Sequence, residues 1–100
     1  MIFLHRGASR KSSASYKDAK SRAAALDANL RADDPRLRHA VHLQHHDGTV
    51  LFYNSAFVVR WQGWLIVLTE HHGPHVYHPE DLHAFGMYRA VRRIEAVHDE

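Results

Sequence analysis

The sequence predicts an α+β domain: a basic N-terminal helix, an antiparallel β-meander of four to five strands, and a C-terminal helical segment. Three observations carry this expectation. Asp47-Gly48 and Gln62-Gly63 each interrupt a pair of alternating or apolar runs, the strongest short-range hairpin signature. Tyr16, Ala19, Ala23, Leu26 and Leu30 recur at spacings of three and four, the period of a helix face. Pro79 followed by Glu80 and Asp81 puts proline at a first helical position and acids at the positive end of the dipole.

Ile2 to Leu4 reads as a short edge strand, and residues 5–12 as a flexible polar linker within one domain spanning 1–100. The first helix is expected from about Ser13 to Arg31, with Ser12 or Ser13 accepting first-turn N–H groups as N-cap. Asp18–Arg22 and Asp27–Arg31 are spaced i,i+4 with the acid N-terminal, the favourable order. Pro35 stops the helix, because the residue before proline is pushed out of the α region. The stripe is rich in alanine, so the helix lies close to a sheet and brings little core of its own.

A two-residue turn at Asp47-Gly48 pairs His45 with Val50 and Leu43 with Phe52. That register puts Val41, Leu43, Val50 and Phe52 in the core, and His42, Gln44, His46, Thr49 and Tyr53 on the wet face, since side chains alternate. A turn at Gln62-Gly63 pairs Trp61 with Trp64, Val59 with Ile66 and Phe57 with Leu68. Both faces of this second hairpin are apolar, so both must be covered. The N-terminal helix is expected on one side, and the second helix or another subunit on the other. After a short strand at "HVYH", a helix is expected to about Phe85. A second helical segment follows, through Met87, Ala90, Val91, Ile94 and Val97; Met87, Arg89, Val91 and Arg93 would alternate if it were a strand instead.

The chain of 100 residues contains no cysteine, which excludes disulfides, thiolate nucleophiles and cysteine-ligated zinc. The longest apolar run, Trp64 to Leu68, is far below the roughly 20 residues of a membrane span. The first apolar stretch is too short for a signal peptide. The expectation is a cytoplasmic protein. Residues 1–38 carry nine Lys/Arg against four Asp/Glu, and residues 39–100 four against seven.

Eleven histidines are the chief chemical feature, concentrated in "EHHGPHVYH" from Glu70 to His78. Gly73-Pro74 argues against a helix there, so the three-residue spacing of His72, His75 and His78 does not by itself bring imidazoles together. A turn could carry His71 or His72 round to His75, and His83 could close the set. No "HExxH", Walker loop or nucleophile elbow is present. Thr69, Glu70, His71 and His72 supply the residue types of a nucleophilic site, but Thr69 and Glu70 point to opposite faces of a strand. The expectation is a non-enzymatic module that occupies the surface of a protein partner, as an inhibitor, an accessory factor or a homodimer. His42, His46, Tyr53, His71, His72 and His75 are its candidate contacts. Nucleic acid is the alternative partner, through Arg10, Lys11, Lys17 and Lys20 on the basic arm and helix. A third reading places zinc or another transition metal on His72, His75 and His83.

Overall fold

The computed structural model describes residues 2–3 and 12–89. The elements run β1 (Ile2–Phe3), α1 (Tyr16–Ala28), a 3-10 turn at Pro35–Arg38, β2 (His39–His45), β3 (Val50–Trp61), β4 (Trp64–Thr69), β5 (His75–Tyr77), a second 3-10 turn at Pro79–Asp81, and β6 (Leu82–Arg89). All six strands join one antiparallel sheet in the order β1-β6-β2-β3-β4-β5. The α+β class and the meander β2 to β5 are therefore as expected.

The expected C-terminal helix is not formed where the structure describes it. Proline and the two acids make only one 3-10 turn, capped by His78 through its contact with the Glu80 N–H. Leu82–Arg89 then pairs with β2 from His39↔Arg89 to His45↔Leu82. The ladder, with Leu82 and Phe85 buried in the core, outweighs the local helix-start signal, as tertiary context commonly does. The remainder of the expected second helical segment, and the residue 5–12 linker apart from Ser12, lie outside the described residues.

The first hairpin differs by one residue from expectation. Gly48 N–H bonds the His45 carbonyl at 3.0 Å and His45 N–H bonds the Thr49 carbonyl at 2.8 Å, with Gly48 at φ 92°. This is a three-residue loop whose last residue is left-handed, so Leu43 faces Leu51 and His42 faces Phe52. A one-residue slip turns a strand over. Leu51 and Tyr53 therefore pack on the core, while Val50 and Phe52 are exposed. At the second hairpin Gln62 and Gly63 are both left-handed, φ 43° and 89°, as a two-residue type I′ turn requires. Trp61↔Trp64, Val59↔Ile66 and Phe57↔Leu68 pair as expected.

The two expected strands on either side of Ser55 are one 12-residue strand, β3, broken in register by a bulge. Between His39↔Ala56 and Val41↔Tyr53 three steps on β3 match two on β2, and Ser55 sits at φ 55°. The extra residue inverts the face of everything beyond it. Ala56 and Val58 thus join Val41, Leu43, Leu51 and Tyr53, with Leu65, Val67, Leu82 and Phe85, in one core. Phe57, Val59 and Trp61 turn to the other side, where Ile66 and Leu68 meet Ala23 and Leu26 of α1, Leu30 just beyond its end at Ala28, and Leu37.

The bulge also folds the sheet on itself. Tyr77 lies opposite Leu65, which lies opposite Arg60, seven residues along β3 from Tyr53. A straight strand would separate those levels by about 23 Å at roughly 3.3 Å per residue. The Tyr53 and Tyr77 hydroxyls are nevertheless 2.7 Å apart. Among the described residues, what covers the second face of the β3–β4 pair is thus the sheet's own other half, in place of the expected second helix or subunit.

Helix α1 lies on the outer side. Its N-cap is Ser15, whose hydroxyl accepts the Asp18 N–H at 3.0 Å, in place of Ser12 or Ser13. Ala19 and Ala23 are buried, and their small side chains allow the helix to sit low on the sheet. Its lead-in is tied to the second hairpin: Ala14 N–H bonds the Gln62 carbonyl at 3.0 Å, and Trp64 Nε1–H bonds the Ala14 carbonyl at 2.6 Å.

Ser55 sets a test of the bulge. Valine there should destabilise the protein by about 1–2 kcal/mol, since a β-branched residue resists left-handed φ, whereas glycine should be neutral or stabilising. Urea midpoints of the two variants and the parent measure this, and equal midpoints would show that the left-handed bulge is not required.

Candidate functional site

The candidate contact residues do not converge on one place. Tyr53 and His75 meet at the seam between the two halves of the sheet, with ring centroids 5.0 Å apart. Tyr77 joins them through the hydroxyl bond, and His45 lies 6.0 Å from the Tyr77 ring. Burial, and then the bond with Tyr53, push the Tyr77 phenol well above its usual range, so it stays a neutral hydrogen-bonding group. His46 Nε2 donates to the Glu80 carbonyl at 3.0 Å and its ring meets that of His83 at 6.3 Å.

The "EHHGPH" segment is a turn that satisfies itself. Thr69 Oγ1 donates to the Gly73 carbonyl at 2.8 Å and accepts the His72 N–H at 2.8 Å, with Gly73 left-handed at φ 75°. His75 Nε2 donates to the His72 carbonyl at 3.0 Å. His71 reaches Glu70 at 3.3 Å on the surface. Of the set proposed for metal, His72 and His75 belong to this turn, whereas His83 sits beside His46. Among the described residues, no three His, Asp or Glu side chains gather as a metal site.

Among the described residues His78 is the one fully buried histidine, and the sequence reading did not place it among the candidate contacts. Its Nδ1 accepts the Glu80 N–H at 3.1 Å and its Nε2 lies 2.9 Å from Ser13 Oγ. A backbone N–H can only donate, so in the neutral ring Nε2 carries the proton and donates to the serine oxygen. A nucleophilic serine needs the reverse, with Nε2 unprotonated to take the hydroxyl proton. The Trp64 ring stands edge-on to His78, centroids 4.8 Å apart. The Ser13–His78 pair is therefore a tie between the helix lead-in and the sheet. Thr69, with its hydroxyl committed twice to the turn, has no base to activate it.

Lys17 and Lys20 are exposed on α1, and Lys20 Nζ stands 5.4 Å from the centre of the Tyr16 ring. Arg10 and Lys11 lie outside the described residues. Two arginines beyond the helix are engaged within the chain. Arg31 Nε bonds Asp33 at 3.2 Å in place of the expected Asp27. Arg36 grips Asp34 through two nitrogens, at 3.1 and 2.8 Å, and lies 4.3 Å over the Phe57 ring. The two tryptophans are paired at the second turn, and Trp64 is buried, so it offers no base-stacking surface.

Two side chains that the sequence placed in the core, Val50 and Phe52, are exposed on the sheet, and Tyr88 stands with them. Phe52, Val50 and Tyr88 are 57%, 49% and 45% exposed. They stand on the outer face of three adjacent strands: Val50 opposite Gln44, Phe52 opposite His42, His42 opposite Gly86 and Ala40 opposite Tyr88. The His42 and Phe52 rings meet edge-on at 6.4 Å. A Cβ on Gly86 would stand 2.7 Å from the Tyr88 hydroxyl, so the Tyr88 ring lies back along its strand over the glycine. Of the expected contacts only His42 belongs to this face. The missing signal was the turn: with His46-Asp47-Gly48 as a three-residue loop, Phe52 falls on the outside.

Set against models of protein families, curated proteins and solved structures, the chain matches none of them.

Two measurements follow from this geometry. Tyr53→Phe and Tyr77→Phe should each cost about 1 kcal/mol, and the double variant distinctly less than the sum, because both remove the same bond. Strict additivity in urea unfolding would sever the link. The Arg36 guanidinium, and then its backbone N–H, hold the Asp34 carboxyl at about 2 instead of the usual 3.8. Its stabilisation is complete above the unfolded value and is lost as pH falls from 3.8 towards about 2. Asp34→Asn should therefore show a shallower loss of stability than the parent across that window, followed by circular dichroism; identical acid limbs would exclude the contribution.

Proposed function

We propose that this protein is a non-enzymatic binding module that occupies the surface of a partner protein through the outer-face patch of exposed Val50, Phe52 and Tyr88 beside His42. The supporting observation is the Val50–Phe52–Tyr88 patch, held open around His42. An exposed apolar patch on an otherwise well-buried sheet favours removal from water, at roughly 25 cal/mol per Å². Aromatic side chains surrounded by adaptable polar groups are the composition of interface centres, and here Gln44 and His42 supply the polar groups. A sheet surface carrying exposed Val50, Phe52 and Tyr88 suits another protein's surface better than a small molecule.

A tagged full-length chain, incubated with lysate of its source cells treated with nuclease and chelator, should retain a protein partner. Phe52→Ser should lose it while melting within a degree or two of the parent. Gly86→Ala displaces only the free end of the Tyr88 side chain, so it should weaken capture with little change in melting. If nuclease together with moderate salt abolishes every association, the protein-binding reading fails and nucleic acid takes its place. If Phe52→Ser captures the partner as well as the parent does, the face is misassigned.

A further inference from the structure

The sheet ends at β5, three residues long, with no strand among the described residues on its outer side. Beside it lies a groove of about 400 Å³ between β5 and α1, at the small end of the range for ligand-binding clefts. One wall carries Tyr16, Lys20 and Ala24 at helical spacing, and the other is the edge strand, His75 to Tyr77. Ala24 gives the groove its depth, because any longer side chain there would fill it. Among the described residues, Lys20 is the one Lys, Arg, Asp or Glu lining the groove.

An exposed sheet edge presents main-chain donors and acceptors in a row, which template another extended chain. A groove between such an edge and a helix lets the added strand bond on one side and drop alternate side chains on the other. We propose that this groove binds a short, acidic, extended peptide segment of another protein, which adds to β5 as a seventh strand with a carboxylate opposite Lys20. The site lies at the far edge of the sheet from the Val50–Phe52–Tyr88 face and does not rest on that face binding anything.

The full-length nitrogen-15-labelled protein is titrated with three blocked pentapeptides, followed by amide shifts. They are acetyl-Val-Glu-Val-Glu-Val-amide, its Val-Lys-Val-Lys-Val counterpart, and the acidic peptide methylated on its backbone nitrogens. The acidic peptide should move the amides of His75, Val76, Tyr77 and Ala24. The methylated peptide, unable to donate, should bind about tenfold more weakly. Lys20→Glu should weaken the acidic peptide about threefold and bring the basic one up to it, and Ala24→Leu should block both. Phe52→Ser should bind the acidic peptide like the parent, which separates this site from the outer face. The proposal is overturned by no binding at millimolar peptide, by equal binding of the methylated peptide, or by shifts mapping elsewhere. It is also overturned if raising protein concentration alone moves the same β5 amides, since the occupant of the edge would then be a second copy.

Discussion

The single left-handed residue in β3 is the constraint on which the rest depends. Without the extra residue at Ser55, the odd-numbered side chains of β3 would share one face from Leu51 to Trp61. Leu51 and Tyr53 would then lie with Phe57 and Val59 under the helix, and the inner core would lack half of one wall. The bulge sends Leu51 and Tyr53 inward together with Ala56 and Val58 and lets the strand turn back. The β2–β6 half of the sheet thereby covers the β4–β5 half. Left-handed conformation costs a serine energy, and the Glu70 N–H bond to the Ser55 carbonyl at 3.0 Å joins the bulge to the end of β4. The sheet's closure on itself more than offsets that cost, because it buries Val41, Leu43, Leu65 and Val67 almost completely.

A sheet that covers its own inner face leaves one task for helices, the outer face, and α1 completes only half of it. A helix with its side chains is about 10–12 Å wide, whereas six strands at about 4.8 Å spacing span more than twice that. Helix α1 lies over β4, β5 and the second half of β3, where Phe57, Ile66 and Leu68 are buried. Its position is set less by its own apolar stripe than by its entry point, where Ala14, Trp64, Ser13 and His78 hold it to the second hairpin. On the other half of the outer face Val50, Phe52 and Tyr88 are exposed, and no described helix covers them. Among the described residues, the exposed patch is thus a geometric remainder of covering a six-stranded sheet with one short helix.

The fold class, the sites of both hairpins, the pairing of the second hairpin and the burial of Ala19 and Ala23 on α1 were legible in the sequence because each rests on local chemistry. Tyr16 of the expected stripe, by contrast, is exposed, and Leu30 lies beyond the helix. Gln62-Gly63 needs only its own two left-handed residues, and Ala19 and Ala23 need only helical periodicity. The errors came where one residue decides a parity. "HDG" reads equally as a two- or a three-residue loop, and the choice exchanges Tyr53 for Phe52 on the core face. Ser55 carries no glycine or asparagine to announce a left-handed bend. Pro79-Glu80-Asp81 starts a helix by every local rule, yet the unpaired edge of β2 gains more from Leu82–Arg89 as a strand. The candidate contacts inherited these errors: Tyr53 was drawn inside and Phe52 was overlooked.

The histidines follow from the same closure. A folded-over sheet has ends and a seam where strand faces are neither fully dry nor fully wet, and such positions require side chains with an apolar body and a polar tip. Tyr53, Tyr77, His75 and His45 line the seam; His46 caps a carbonyl at the first hairpin; His78 bridges a backbone N–H and a serine in the interior. Each ring is held by a carbonyl, a hydroxyl, an N–H or another ring, and these partners lie in different directions. Imidazoles oriented by separate local partners do not converge, however closely the letters follow one another between Glu70 and His78. Conversely, Phe52 and Val50 have no such local duty at the seam, and no described element covers them. The apolar residues left over by the fold, more than the polar ones that crowd its sequence, are the observation on which the proposed protein-binding face rests.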